Sequence, residues 1–337
     1  MEEKKEIKLP EPGTLIVSSS PHLHESSTIP KIMLQVIVCL APVIAASIWF
    51  FGLHALRVIV LCTVFSMLFE YLWCKLMKTR NTVTDWSAAV TGIILALNLP
   101  PLSQWWICAV GAFISIIIAK EVFGGLGQNP FNPAAVGRVA LLVGFTGPMT
   151  TQWIVPDAAT GATPLTLAKT YLGNADKMAT LESTGEMWNY FFGNMGGSLG
   201  ETSAIAILIG AVGLFAFRLI RWEIPLGIIC SMVVFTWIVH TGSPATTPGP
   251  LFHLLTGSAL IGAFFMATDM VTSPLTRSGC LIFGAGIGII TCVIRIWGGF
   301  PEGMSFAIVI MNALVPLIDR FCYKRPFGWV HFMGGAR

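Results

Sequence analysis

Ten continuous apolar runs, at about 32–52, 55–76, 84–99, 104–121, 133–150, 202–220, 224–241, 251–268, 278–296 and 304–322, constrain this chain more than any other feature. A helix that crosses a bilayer takes about 20 apolar residues, with about 17 as a practical minimum. The runs are continuous rather than alternating, which excludes a membrane β-barrel. Hydrophobic residues make up 54% of the chain and charged residues 11%, a balance that excludes a soluble protein. The expected fold is therefore an all-α polytopic membrane protein lying in a lipid bilayer.

Charge sets the expected orientation. With the N-terminus inside, Lys4, Lys5, Lys8, Lys31, Lys75, Lys78, Arg80, Lys120, Arg218, Arg221, Arg277, Arg320, Lys324, Arg325 and Arg337 fall on the cytoplasmic face. The other face receives mainly Arg57, Lys169, Lys177 and Arg295. Cytoplasmic loops carry the excess of Lys and Arg, so both termini are expected inside and the 151–201 loop outside. Residues 1–31 are charged, then polar, and show no apolar signal-peptide core. The net charge of +3 is too small to point to nucleic acid. The eight cysteines have no metal-type spacing and are expected as packing thiols, with no metal site, iron–sulfur cluster or disulfide.

Two of the runs end in helix breakers, Asn98-Leu99-Pro100-Pro101 and Thr268-Asp269-Met270-Val271-Thr272-Ser273-Pro274. Each break is followed by an apolar helix, a Gly-Gly pair (Gly124-Gly125 and Gly298-Gly299) and another helix. Five spans per half is an odd number, so the halves face opposite ways in an inverted repeat. The organisation is then a cytoplasmic segment 1–31, a first repeat 32–150, an extracytoplasmic loop 151–201, a second repeat 202–322 and a cytoplasmic tail 323–337.

Broken backbone survives at membrane depth only where protein or water satisfies it. The loop GGLGQNPFNP at 124–133 leads into a break-facing helix, with Asn132 as N-cap and Pro133 as first helical residue. Its free N–H groups suit a polar or anionic ligand, or simply close a tight helical hairpin. Candidate ligand or ion-path residues are Asn129, Phe131, Asn132, Asp269, Thr272 and Ser273, because polar side chains at membrane depth are expensive. Lys120, Glu121, Asp319 and Arg320 read as interfacial anchors or paired charges.

One stretch of the outer loop has a chemistry of its own, DAATGAT at 157–163 followed by Pro164. Gly161 and Ala162 remove bulk and Pro164 restricts the chain, which is expected to leave the Thr163 hydroxyl uncovered. A threonine hydroxyl is a weak nucleophile, so its modification needs a separate enzyme. The same residues also make an ordinary turn.

The segment resembles the flavinylation motif of the D subunits of Rnf-type ion-translocating electron transport complexes. In that motif an Asp, a small residue and a hydroxyl residue precede Gly-Ala-Thr, and FMN is joined through its phosphate to the last Thr. Ser18-Ser19-Ser20-Pro21-His22, GGLGQNPFNPAAVGR at 124–138, MATDMVTSP at 266–274 and EGMSFAIVIMNALVPLID at 302–319 extend the resemblance over nearly the whole chain. The homologous B subunits of sodium-translocating NADH:quinone reductases share much of this pattern but usually have a longer N-terminal region. Thr160 stands where Ser is commoner, and Met270 where the second break often has Pro.

The resemblance implies covalent FMN on Thr163, with Asp157, Thr160, Gly161, Ala162 and Pro164 as the recognition motif for a flavin transferase. It also implies a non-covalent riboflavin, a urea-transporter-like fold and other Rnf subunits as partners. Electrons would pass between ferredoxin and NAD while Na⁺ or H⁺ crosses the prokaryotic inner membrane. The competing reading is a small-solute channel or transporter built on the same inverted repeat without a redox cofactor.

Overall fold

A computed structural model describes residues 27–79, 81–151, 153, 161–243 and 247–322, and these residues are helical with no strand among them. Six helices are long and apolar enough to cross a membrane: Ile29–Phe51, Leu53–Met77, Trp105–Phe123, Glu223–Gly242, Arg277–Trp297 and Met304–Phe321. Their outer surfaces are apolar, with Trp49, Leu53, Val60, Val64, Val234 and Trp237 all exposed. Such a surface suits lipid rather than water.

In chain order, α1 (Ile29–Phe51) and α2 (Leu53–Met77) are followed by α3 (Ser87–Leu97) and α4 (Trp105–Phe113), which continues through a π turn at Ile114–Ile118. Next come α5 (Pro133–Gly144), α6 (Thr146–Thr151), α7 (Pro164–Thr170), α8 (Ala175–Leu181) and α9 (Thr184–Phe192). The remaining helices are α10 (Ala204–Ala216), α11 (Glu223–Gly242), α12 (Pro250–Leu255), α13 (Ala259–Ile261), α14 (Arg277–Trp297) and α15 (Met304–Phe321). A second π turn, Gly262–Met266, extends α13.

Four of the ten expected spans are shorter or interrupted, each for a local reason. The run at 84–99 gives only α3, which stops at Asn98 before Pro100-Pro101. Its 11 residues reach about 16 Å, roughly half the hydrocarbon thickness. The run at 133–150 breaks at Phe145, where φ is −131° and ψ 51°. The run at 202–220 gives α10, ending before Arg218, which has φ 55°. The run at 251–268 is interrupted at Thr256 in extended backbone, then at Gly257 with φ 69°. A Cβ at Gly257 would lie 2.6 Å from an Arg295 side-chain nitrogen, so glycine is required there twice over.

The breaks are satisfied by partner backbone. Leu199 N donates to Leu99 O at 3.2 Å, and Gly200 N to Leu97 O at 2.6 Å. Asn98 Nδ2 donates to Ile94 O at 2.8 Å and reaches Met266 Sδ at 3.4 Å, so the two interrupted helices meet. Small residues allow close helix approach between α11 and α14. A Cβ on Gly284 would come 2.5 Å from the Ile224 carbonyl oxygen, as in membrane interfaces built on small residues.

The 151–201 loop is more organised than its polar composition suggests. Its described part folds into α7, α8 and α9, and this layer buries Leu165, Ala168, Met178, Leu181, Tyr190 and Met195 against Phe252. Lys169 Nζ donates to the carbonyls of Gly298 and Phe300, tying this layer to the turn before α15.

Of the two readings of Lys120, interfacial anchor or paired charge, the structure shows the paired charge. Lys120 is 2% exposed and bonds Glu70 Oε1 at 2.9 Å and Ser87 Oγ at 2.8 Å. Thr82 Oγ1 donates to the same Glu70 oxygen at 2.7 Å. Breaking a buried pair costs about 3–5 kcal/mol, whereas an apolar replacement of both partners is often neutral. Lys120→Met should therefore lower the thermal midpoint in detergent strongly. The Lys120→Met/Glu70→Leu double variant should recover most of that loss.

Candidate flavin and ion-path sites

Thr163 sits at the start of α7 as its N-cap. Its Oγ1 accepts from Thr166 N at 3.3 Å and lies 2.8 Å from Thr166 Oγ1. Contrary to the expectation of an uncovered hydroxyl, the residue is 8% exposed. Capping draws the hydroxyl back over the first turn, because that turn has N–H groups without helical partners. Thr163 nevertheless opens into a cavity of about 140 Å³, lined also by Arg138, Trp153, Glu201 and Glu302. Pro164 is buried as the first residue of α7, while Gly161 and Ala162 remain partly open. Asp157 and Thr160 lie outside the described residues.

Arg138 carries the charge of this cavity. It projects from α5, is 3% exposed, and bonds Glu302 Oε2 through Nη2 at 3.2 Å. Its other terminal nitrogen, Nη1, is buried without a partner among the described residues. Orphaned buried donors are rare and costly, and a guanidinium fork suits a phosphate oxygen. The donor set at Thr163 therefore fits a phosphoester group.

Glu302 belongs to the turn between α14 and α15. It also accepts from Ser258 N. Burial alone would raise its carboxyl, but Arg138, Glu201, Arg295 and Ser258 together hold it below the usual glutamate range. Glu201 lies beside it. Burial, the Glu302 charge and the bond to Glu302 push Glu201 up to about 8, against Ser198 and Arg138. Arg295 is 3% exposed and bonds the carbonyls of His253 at 2.6 Å and Thr256 at 3.1 Å. It is thus an internal cation rather than the loop charge expected from its position near a helix end.

A second cavity, of about 220 Å³, lies where the breaks meet the start of α5. Its lining includes Lys120, Asn129, Asn132, Phe264, Phe265 and Asp269. Asn132 is the N-cap anticipated from Asn-Pro: its Oδ1 accepts from Ala135 N at 3.1 Å, and Pro133 opens the helix. Its Nδ2 donates to Met266 O at 2.8 Å, so one amide joins the loop after α4 to the second break. Asn312 of α15 closes this junction once its amide is oriented to donate to Thr272 O and accept from Asn132 N. Asn129 Nδ2 donates to Phe131 O, while its Oδ1 is buried without a partner among the described residues. Asp269 receives Val271 N at 3.4 Å and Thr272 Oγ1 at 3.2 Å.

Of the expected break residues, the structure gathers Asn129, Asn132 and Asp269 around this cavity, with Thr272 bonded to Asp269. Phe131 contributes its carbonyl to Asn129, and Ser273 does not line the cavity. The sequence reading missed Arg138, Glu201, Glu302 and Arg295. Arg138 and Glu302 stood inside quoted motifs, but their side chains come together across 164 residues. Only a charge census of the apolar runs and their edges could have singled them out.

Two interrupted helices meet at polar side chains in a multi-pass helical membrane protein, beside a cavity that holds the motif threonine. The sequence signature of the NQR2, RnfD, RnfE family covers residues 16–328, and the chain belongs to this family. Over 316 residues it is 41% identical to the D subunit of the Na⁺-translocating ferredoxin:NAD⁺ oxidoreductase complex of Acetobacterium woodii, covering 93% of this chain and 95% of that one. It is also 41% identical over 317 residues to the proton-translocating counterpart of Clostridium ljungdahlii, covering 93% and 96%. The D subunit of the ion-translocating oxidoreductase complex of Escherichia coli is 36% identical over 349 residues, covering 93% and 98%.

Proposed function

We propose that the chain is the covalently flavinylated membrane subunit of an Rnf-type redox-driven ion pump. It relays electrons between ferredoxin and NAD within a multi-subunit complex and couples their passage to Na⁺ or H⁺ movement. The observation that carries this reading is the Thr163 hydroxyl opening into a cavity that contains a buried, unpaired Arg138 nitrogen. Thr163 Oγ1 would carry the FMN phosphate as an ester made by a flavin transferase, and Arg138 would be the cavity's cation for a phosphate oxygen. The bound flavin supplies reversible electron transfer. Glu302 pairs with Arg138, Glu201 lies beside them, and Trp153 lines the same space.

The second cavity is assigned to non-covalent riboflavin. Its walls are mainly apolar, and Asn129 offers a free amide oxygen for a flavin N–H or ribityl hydroxyl. Helix α5 connects the two sites, with Asn132 at one and Arg138 at the other. Six residues of helix rise about 9 Å, a short separation for electron transfer. The two halves form a urea-transporter-like inverted repeat, with both termini cytoplasmic and Thr163 extracytoplasmic. Lys75, Lys78, Arg218, Arg221, Arg277 and Arg320 at the helix ends support that orientation.

Intact-mass measurement after co-expression with a flavin transferase tests the attachment. A chain of unmodified mass that still sustains ion transport would favour the channel reading instead. Asp269 is proposed as an ion-path carboxylate between the halves. Asp269→Asn should slow ion translocation in reconstituted vesicles while leaving the flavin adduct in place. An unchanged rate and stoichiometry would remove Asp269 from the path.

A further inference from the structure

The carboxyl pair in the Thr163 cavity has a chemistry separate from flavin attachment. Glu201 Oε1 is buried and meets no donor among the described residues, and the Glu302 carboxyl lines the same small cavity and interacts with the Glu201 side chain. Glu201 Oε2 is already turned to Ser198 N at 3.4 Å. Both oxygens of Glu302 are engaged, one by Arg138 at 3.2 Å and the other by Ser258 N. Two carboxylates in bonding reach do not both ionise, and a single proton between them satisfies the otherwise orphaned oxygen.

We propose that Glu201 and Glu302 hold one shared proton and form a proton-accepting site whose occupancy follows the negative charge at Thr163. Among the described residues, the charged groups around the pair are few. Arg138 faces it from α5 and Arg295 from α14, with Glu302 on the turn before α15. Lys169 of α7 binds the carbonyls of that same turn, and His253 of α12 offers its carbonyl to Arg295.

With Glu201 protonated, Arg138, Arg295 and Glu302 leave one net positive charge among the described residues. A phosphodiester on Thr163 balances it. Each further negative charge at that position raises the proton affinity of Glu201, and the arriving proton comes from water at this end of the cavity. The only bond formed is the carboxyl O–H. The link to flavin reduction rests on the function proposed above, with the electron supplied by the donor protein of the complex. The shared proton itself does not depend on a flavin.

The test uses the full-length chain in lipid nanodiscs, made without transferase. Infrared titration follows the protonated-carboxyl C=O band, and the difference between wild type and Glu201→Gln isolates the pair from other buried acids. A band that titrates near pH 8 and is missing in Glu201→Gln is expected. Thr163→Asp supplies a fixed negative charge without any flavin. It should move that titration upward by about one pH unit or more, within the usual effect of a near like charge.

Glu302→Gln should shift the same band downward by removing the facing charge, which provides a second variant if Glu201→Gln misfolds. A wild-type chain with no titrating band in the neutral range overturns the shared proton. A midpoint unmoved in Thr163→Asp overturns the charge linkage. Absence of a mass adduct in transferase-treated protein defeats only the flavin reading, because neither infrared arm uses the flavin.

Discussion

Thr163→Ala is expected to abolish the covalent flavin entirely. Wild-type chain made with a flavin transferase should gain one FMN-sized mass and fluoresce in a denaturing gel, and the variant should do neither. Thr163→Ser keeps the hydroxyl and should keep the adduct. The neighbouring Thr166 hydroxyl lies only 2.8 Å away, so Thr166→Val is the necessary comparison and should remain modified. An adduct that persists in Thr163→Ala but disappears in Thr166→Val would move the attachment by one helical turn.

Loss of the cap bond to Thr166 N costs about 1 kcal/mol. The variant should therefore still fold, which makes the mass result interpretable. Electron transfer through the assembled complex should fall by far more than this stability change accounts for. The redox group would be absent, not displaced.

Arg138→Met is expected to be the most destabilising single change in the Thr163 cavity. It leaves Glu302 without its cation in a site where the two side chains are 4% and 13% exposed. Removing one partner of a buried pair costs about 3–5 kcal/mol, and the residual exposure of Glu302 puts this site near the lower end. Arg138→Met/Glu302→Gln should regain most of the loss, because no charge is then stranded.

The pH dependence has a definite sign. In wild type the Glu302 carboxyl is held low, so its contribution is present above the ordinary glutamate range and is lost as pH falls through the lowered folded value. In Arg138→Met burial dominates, the folded carboxyl is raised, and stability falls as pH rises from the ordinary glutamate range towards that raised value. Detergent thermal midpoints for both proteins across acidic and neutral pH measure this reversal. Parallel curves would show that Arg138 does not set the Glu302 charge.

Much of this organisation was legible in the sequence, and the reasons are local. The apolar runs named a membrane protein because hydrocarbon tolerates few unsatisfied backbone groups. Asn98-Leu99-Pro100-Pro101 marked the end of α3, since proline cannot continue a helix. Asn132-Pro133 marked the start of α5, and the structure shows that cap with its side-chain bond. The DAATGAT segment named Thr163 through resemblance, and the local residues alone favoured a simple turn.

Other features were settled only by tertiary structure. Thr256 and Gly257 interrupt a run that reads as continuous apolar sequence, because the backbone there turns over Arg295. Helices α7 to α9 form a layer because Phe252 from the second half completes their small core. Lys120 is an internal charge only because Glu70 and Ser87, distant in sequence, are brought to it.

By itself the sequence determined a helical membrane chain, its breaks and the motif threonine, since hydrophobic length, proline geometry and residue order act over a few neighbours. The tertiary structure decided that Arg138, Glu201 and Glu302 share the Thr163 cavity. Their charges interact strongly because folding places them together where little water screens them.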